Sequence, residues 1–264
     1  MSAEQDNNKI TKDNIDFYLK EFAKVFKKMN GDKMPAEIIM VGGASIITNY
    51  NFRKSTGDID AVILSSSVAK DAANAVGEKH NLPSDWLNND FKKTDSYSPK
   101  LREHSIPYKT FSNIVHIRTI TSEYLIAMKL MAGRRYKHDL SDIVGIFLEH
   151  KNKNNPINID KVKVAFKTLY GNKNKMPKES VELLNQIENT DDYNELFNDI
   201  KKDEKNAKLI LDDFSNKYPK IINRDNINSI VSQLMEKKEL KTQKNNNEII
   251  FEKKIQKKHN KSKK

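Results

Sequence analysis

The sequence predicts an α+β fold: a small mixed β-sheet core with flanking helices, followed by an α-helical C-terminal domain. Up to about residue 150, short apolar runs rich in Ile and Val alternate with amphipathic helical patterns. After the polar linker KNKNNP, at residues 151–156, the pattern changes to helical periodicity. We therefore expect a first domain at 1–150, a helical domain at 156–240, and a basic, disordered tail at 241–264 that is too polar to fold alone.

Hydrophobic periodicity locates the individual elements. Thr11 can cap a helix, because apolar residues recur at three- and four-residue steps from Ile15 to Met29. The polar stretch 81–113 is broken by three prolines, so no long element is predicted there. The predicted helices lie at 15–29, 44–50, 68–80, 122–133, 140–150, 158–170, 179–188, 192–216 and 225–240, and the predicted strands at 37–41, 58–64 and 114–120.

Composition excludes several classes of protein. The chain of 264 residues has no cysteine, which excludes disulfide frameworks, thiolate metal sites and cysteine nucleophiles. No apolar run approaches the roughly 18 residues that span a bilayer, and the first residues contain no apolar signal core. We therefore expect a cytoplasmic protein that makes no use of a membrane.

The net charge of +11 is concentrated at the end of the chain. Residues 236–264 hold eleven lysines and four glutamates, a net charge of +7. Such a stretch can be a solvated end that keeps the protein in solution. It can equally be a polybasic arm attracted to nucleic-acid phosphates, in which case binding would fall steeply with salt.

The residues most able to bind a ligand or take part in a reaction lie in the stretch VGGASIITNYNFRKSTGDIDAVIL, at residues 41–64. Asp58 and Asp60 are two apart on a predicted strand, so their carboxylates share a face and suit a hard cation such as Mg²⁺. Gly42 and Gly43 precede a helix, where bare backbone N–H groups can approach a phosphate. Alone, a glycine pair is more often a turn, and a D-x-D pair is often solvated. Together, with a basic loop between them, they indicate a site for a nucleoside triphosphate.

The segment GGASIITNYNFRKSTGDID resembles the motif of the DNA polymerase β-type nucleotidyltransferase superfamily, in which GG or GS precedes D-x-D or D-x-E. With Arg53 and Thr56 just before D-I-D, it is similar to a bacterial subset that includes the AbiEii and MenT toxins of toxin–antitoxin and abortive-infection systems. A second block, SEYLIAMKLMAGRRYKHDLSDIVGI at 122–146, resembles the later motif of that subset, a lysine-bearing helix followed by an A-x-R turn and a K-x-D-x-x-D helix. The resemblance covers roughly residues 37–150.

The resemblance implies a Mg²⁺-dependent enzyme that transfers a nucleotide from an NTP to RNA, such as the 3′ end of tRNA, and acts as a toxin with a cognate antitoxin protein as partner. It assigns Asp58 and Asp60 to Mg²⁺ and, with Lys129 and Asp142, to catalysis. The residues that it assigns to the nucleotide pocket are Gly42, Gly43, Ser45, Arg53, Thr56, Arg134 and Asp139.

The residues of the second block are compatible with other roles. Lys129, on a mostly apolar helix, either extends to the surface or projects into a cleft. Asp139 and Asp142 share one helix face, where they can equally interact with the dipole of the helix N-terminus. Arg134 and Arg135 can simply form ion pairs.

One departure from the superfamily pattern concerns the general base. Polymerase-type members carry a third carboxylate on a following strand, and the predicted strand IVHIRTI has none. Asp139 or Asp142 could substitute for it, or two carboxylates could suffice. The missing carboxylate keeps open a catalytically silent antitoxin or regulator that binds nucleotide or nucleic acid. A second alternative, implied by the resemblance in fold, is transfer to a small molecule such as an aminoglycoside, against which the lysine excess argues.

Overall fold

The computed structural model describes residues 9–31, 34–171, 176–223, 226–238 and 240, and it confirms the predicted α+β class. The strands are β1 (Ile10–Thr11), β2 (Ala36–Met40), β3 (Ser55–Thr56), β4 (Ile59–Leu64), β5 (Leu87–Asn88), β6 (Ser105–Phe111) and β7 (Val115–Ile120). The helices are α1 (Ile15–Asn30), α2 (Gly42–Asn49), α3 (Val68–His80), α4 (Ser122–Ala132), α5 (Asp139–Asn152), α6 (Ile159–Tyr170), α7 (Lys178–Asn189), α8 (Tyr193–Lys217) and α9 at 227–238.

The main sheet has five strands in the order β5–β4–β2–β7–β6. The central strand β2 is antiparallel to β4 and parallel to β7, so the sheet is mixed. Antiparallel pairing aligns Met40, at the end of β2, with Ala61, near the start of β4. As a result, the glycine pair that follows β2 lies beside the D-I-D segment, although a helix and a loop separate them in the sequence.

The hydrophobic core fills the space between the sheet and helices α1 and α3. Phe22 and Phe26 on α1, Val76 on α3 and Ile38 on β2 are fully buried in one cluster with Trp86. Each such side chain contributes about 1.5–3 kcal/mol by leaving water. The apolar residues predicted to recur along α1 therefore pack against both the sheet and α3 in this cluster.

The structure adds four short or irregular strands to those predicted. β1 pairs with β3, and β5 and β6 form the two edges of the main sheet within the stretch 81–113. Pro107 is compatible with β6 because an edge strand can lack one N–H donor, and the register shifts between Pro107 and Lys109. The prediction that Thr11 caps α1 is wrong, because Thr11 lies in β1 and the residue that precedes the helix is Asn14.

The chain forms two compact units, the first of which comprises Met1–Gly133 and Asp139–Phe197 and the second Arg134–His138 and Asn198–Lys264. In the second unit, Ala207, Leu211, Val231 and Met235 form a small apolar cluster. The domain boundaries predicted from the sequence stay a prediction, and the predicted tail at 241–264 lies outside the described residues. Within the described part of the chain, no helix combines the length and the apolar character needed to cross a bilayer.

Candidate active site

The glycine pair lies at the N-terminus of α2, beside the first residues of β4. Gly42 has a φ of +54°, a backbone conformation that other residues adopt only at a cost. A Cβ atom added to Gly42 would lie 3.6 Å from Oδ2 of Asp60. Val41, which precedes the helix, provides no side-chain cap for the N–H groups of the first turn. The carboxylate of Asp60 therefore lies next to a helix N-terminus that has no side-chain cap.

Gly43 is required by the close packing of this turn against the loop before β4. A Cβ atom on Gly43 would overlap Oγ1 of Thr56 and lie 2.9 Å from Cβ of Thr56 and 3.0 Å from Nη2 of Arg53. Only glycine fits this space without moving its neighbours. The structure thus brings together Gly43, Arg53 and Thr56, three residues that the motif selected.

Arg53 connects this turn to the second sequence block. Its Nε donates to the carbonyl oxygen of Ser55 at 3.1 Å, and its Nη1 donates to Oδ2 of Asp142 at 2.8 Å. The same carboxylate oxygen lies 2.8 Å from Nζ of Lys129, and Nζ also donates to Oδ1 of Asp139 at 2.9 Å. The two cations and two anions therefore form one connected ion-pair cluster, named below as the α4–α5 cluster.

Lys129 and the two aspartates of the α4–α5 cluster are almost completely removed from solvent, whereas Arg53 is partly exposed. The exposed fractions are 7% for Lys129, 1% for Asp139 and 2% for Asp142. Burial alone would lower the pKa of Lys129, but the charges of Asp139 and then Asp142 more than offset it, so the pKa lies above its ordinary value. Lys129 is therefore held as a cation in the interior, rather than extending to the surface.

Asp58 and Asp60 differ from the two aspartates of this cluster in being half-buried, on either side of the fully buried Ile59. The predicted strand at 58–64 begins one residue later, so Asp58 lies in the bend before β4. Nδ2 of Asn88 donates to Oδ2 of Asp58 at 3.4 Å, and Asn88 is the partner of Asp60 across the parallel pair β4–β5. Sequence reasoning missed Asn88, because a two-residue strand has no detectable hydrophobic alternation.

Ser45 and Arg134, which the resemblance assigns to the nucleotide pocket, have surroundings unlike those of Gly43, Arg53 and Thr56. Ser45 is fully buried, and its hydroxyl forms a hydrogen bond of 2.6 Å with Oγ1 of Thr119 on β7. Its side chain thus connects α2 to the sheet. Arg134 lies in the Arg134–His138 segment of the second unit, where the neighbouring Arg135 forms an ion pair of 2.7 Å with Asp203. The roles predicted for Ser45 and Arg134 in the nucleotide pocket stay predictions.

The donor set of Asp58 and Asp60 fits the Mg²⁺ ion that the motif implies. Among the described residues, no lysine, arginine or histidine forms an ion pair with Asp60. In the same part of the chain, no group of three or more histidine or acidic side chains could hold a metal ion. Mg²⁺ is commonly held by one or two carboxylates together with substrate phosphates, so Asp58 and Asp60 are ligands of the kind that this ion takes.

Comparison with family models assigns the chain to a family. The model described as "Nucleotidyltransferase of unknown function (DUF6036)" matches residues 18–208, which is more than half of the chain. The chain belongs to this nucleotidyltransferase family. Comparisons with curated proteins and with solved structures return no significant match.

The nucleotidyltransferase match includes every residue that the two motifs selected, from Gly42 to Asp142. Membership supports nucleotidyl transfer as the general activity of this chain. In this nucleotidyltransferase, the turn at Gly42 and Gly43 and the two carboxylates of the D-I-D segment form the candidate active site. Arg53 connects the α4–α5 cluster to that site, because its guanidinium donates to Asp142 and lies against Gly43.

Proposed function

We propose that this nucleotidyltransferase transfers a nucleotide from an NTP to a hydroxyl group of RNA in a Mg²⁺-dependent reaction. The observation that carries the proposal is the position of Asp60 beside the N-terminus of α2, with Arg53 against the same turn. A carboxylate would repel a phosphate at this turn unless a cation lay between them. The helix N-terminus and the guanidinium can bind phosphate oxygens, and Asp58 and Asp60 can hold the cation.

In the proposed reaction, the acceptor hydroxyl gives its proton to water, and its oxygen attacks the α-phosphorus of the NTP. The bond from the α-phosphorus to the bridging oxygen breaks, and pyrophosphate leaves with that electron pair. Mg²⁺, when bound, supplies charge neutralisation for the phosphates. The chain supplies orientation: Asn88 holds the carboxylate of Asp58, and Asp142 holds the guanidinium of Arg53.

The direct test measures transfer of labelled nucleotide from each of the four NTPs to a tRNA mixture, with Mg²⁺ or with EDTA. Replacing both Asp58 and Asp60 by Ala should reduce transfer by at least about 10³-fold, the loss expected when several kcal/mol of transition-state stabilisation disappear. The matched control replaces Asp71 and Glu78, two exposed carboxylates of α3, by Ala. Transfer that survives the first double substitution would contradict the proposal.

RNA is the acceptor that the charge of the chain favours. Residues 241–264 hold nine lysines and two glutamates in the sequence, and polybasic segments bind nucleic-acid phosphates in a salt-dependent manner. A chain ending at residue 240 should bind RNA more weakly and with a smaller salt dependence, while its affinity for NTP stays unchanged. Equal affinity and an equal salt slope for the two chains would show that the tail contributes nothing to the acceptor site.

The cellular role that we propose is that of a growth-arresting toxin controlled by a cognate antitoxin. The support is the likeness of both sequence blocks to nucleotidyltransferase toxins. Expression of the wild-type chain should arrest bacterial growth, whereas expression of the variant with Asp58 and Asp60 replaced by Ala should not. Arrest by both chains would separate toxicity from nucleotidyl transfer and contradict this part of the proposal.

A second candidate function is nucleotide binding without transfer. It is favoured by one observation, that the residue paired with Asp60 on β5 is Asn88, whose amide cannot accept a proton as a carboxylate does. Titration of NTP with and without Mg²⁺ distinguishes the two candidates. Binding that does not depend on the metal, without any transfer, would favour the silent function.

A further inference from the structure

A cavity of about 460 Å³ lies between the start of α3 and the segment that contains β5. We refer to it as the β5 cavity. Asn88 lines it and also donates to Oδ2 of Asp58 at 3.4 Å. Asn88 also pairs with Asp60 across the two parallel strands, so this residue connects the cavity to the D-I-D segment.

The walls of the β5 cavity are mainly neutral and able to form hydrogen bonds. The lining includes three serines, at 65–67, and three asparagines, Asn74, Asn88 and Asn89. Some of these side chains already form one hydrogen bond within the protein, such as that from Oγ of Ser66 to Asn30. Hydroxyl and amide groups can both donate and accept, as the edges of nucleobases and ribose hydroxyls require. Their arrangement suits a ligand with many polar groups and little net charge.

Charged groups are a minority among the described residues that line the cavity. Lys70 is the lysine there, and the acidic residues are Asp85 and Asp90, the latter in an ion pair of 2.6 Å with Lys93. Such a balance does not favour a triphosphate, which carries several negative charges. Ile63, Ala69 and Ala73 add apolar surface that can contact the face of a planar ring.

We propose that the β5 cavity binds the terminal nucleoside of the RNA acceptor, with its reactive hydroxyl directed towards Asp58 and Asp60. This inference rests on the proposed function and adds the position of the acceptor to it. The cavity volume lies in the range of about 300–1,000 Å³ that is typical of small-ligand sites. In the main sheet, β4 lies between β5, which borders the cavity, and β2, which leads into the glycine turn, so the two substrates would approach the D-I-D segment from its two sides.

A pair of substitutions on α3 tests the proposal. Asn74 is exposed and lines the cavity, whereas Glu78 is exposed one turn further along and does not. Asn74→Phe should fill the cavity and raise the KM for RNA at least about tenfold, the equivalent of one lost contact of 1.4 kcal/mol. Glu78→Phe should change it by less than about twofold. Neither substitution should change the Kd for NTP.

Trp86 provides a direct reporter of ligand binding, because it is the single tryptophan of the chain. It lies between two lining residues in sequence, and its indole N–H donates to the carbonyl oxygen of Ala73 at 2.8 Å. The protein is titrated separately with adenosine, cytidine, guanosine and uridine. At least one of these nucleosides should shift the indole N–H signal of Trp86 in the NMR spectrum. The shift should persist in the variant with Asp58 and Asp60 replaced by Asn, and be lost in Asn74→Phe.

The outcomes separate the cavity proposal from the proposed function. If transfer to RNA continues with an unchanged KM in both Asn74→Phe and a second cavity variant, Ser84→Phe, the cavity does not bind the acceptor, although the proposed function stands. If no nucleoside shifts the Trp86 signal, the cavity proposal is likewise overturned. If nucleosides bind in the cavity but the wild-type chain transfers nothing from NTP to RNA, the proposed function fails and nucleoside recognition remains.

Discussion

Two acidic pairs, one in each sequence block, differ in how the fold treats their charges. Asp58 and Asp60 are half-buried, the second of them beside Gly42, whereas Asp139 and Asp142 are buried against the side chain of Lys129. Protein cations neutralise the second pair, whereas Asp60 of the first pair forms no ion pair with a described lysine, arginine or histidine. The same residue type is therefore held in two different environments, which fits the proposed role of the first pair in binding a metal ion and of the second in positioning Arg53.

The largest expected effect comes from removing Lys129, the buried cation of the α4–α5 cluster. Lys129→Met leaves Asp139 and Asp142 buried without their shared partner, which should lower the free energy of unfolding by about 3–5 kcal/mol. Urea denaturation measures this loss, and Lys167→Met, at an exposed position on α6, is the control. If Lys129→Met unfolds like the wild type but loses NTP binding, then Lys129 contacts the substrate rather than stabilising the interior.

The two acidic pairs can be compared directly by isosteric substitution. Asp142→Asn weakens charged hydrogen bonds to Arg53 and Lys129 and should cost about 1.5–3 kcal/mol of unfolding free energy. Asp60→Asn should change that free energy by less than about 0.5 kcal/mol, because the residue is only half-buried. Transfer activity should show the larger loss in Asp60→Asn when measured on folded protein. Equal destabilisation by both substitutions would remove the distinction between the pairs.

The glycine turn should be sensitive to a single methyl group. Gly43→Ala overlaps Thr56 and should cost about 1–3 kcal/mol through overpacking, as well as reducing NTP affinity by displacing the turn. Gly57→Ala is the matched control, since a Cβ atom there meets nothing within 4 Å. Adding Thr56→Ala to Gly43→Ala should restore part of the stability because it removes the overlapping hydroxyl. A Gly43→Ala variant as stable and active as Gly57→Ala would contradict the packing argument.

Alkaline pH should produce the smallest change in the free energy of unfolding. This change comes from the buried Tyr50 rather than from the glycine turn. Burial raises the pKa of Tyr50 to about 12, while an unfolded tyrosine titrates near 10. Because the folded state holds this proton more tightly, the stabilisation is complete below about pH 10 and is lost as the pH rises towards 12. The pKa of Lys129 is also raised, so this residue likewise contributes stability that is lost as the pH rises.

Urea denaturation between pH 8 and pH 11 measures this dependence. Tyr50→Phe should lose about 1 kcal/mol at pH 8, where the hydrogen bond to Ser122 is removed, and should decline less steeply above pH 10. Tyr218→Phe, at an exposed position, is the control. A decline in Tyr50→Phe as steep as that of the wild type would assign the alkaline loss to other groups.

Much of the framework follows from local patterns in the sequence. The helices α1, α3 and α6 match the predicted spans closely because their apolar steps repeat over three turns or more. The strands β2, β4 and β7 are apolar runs long enough to detect. By contrast, β1, β3 and β5 have two residues each, and β6 contains a proline, so no periodicity identifies them.

The sequence by itself determined the two motif blocks, the fold class and the residue types available for chemistry. Only the tertiary structure decided which carboxylates were already paired. Lys129 contacts Asp142 because α4 and α5 pack together. Arg53, in a loop 89 positions before Asp142, donates to the same carboxylate. It also decided that Asn88 lies beside the D-I-D segment. Local patterns follow from neighbouring residues, whereas charge compensation depends on long-range contacts that no spacing in the sequence encodes.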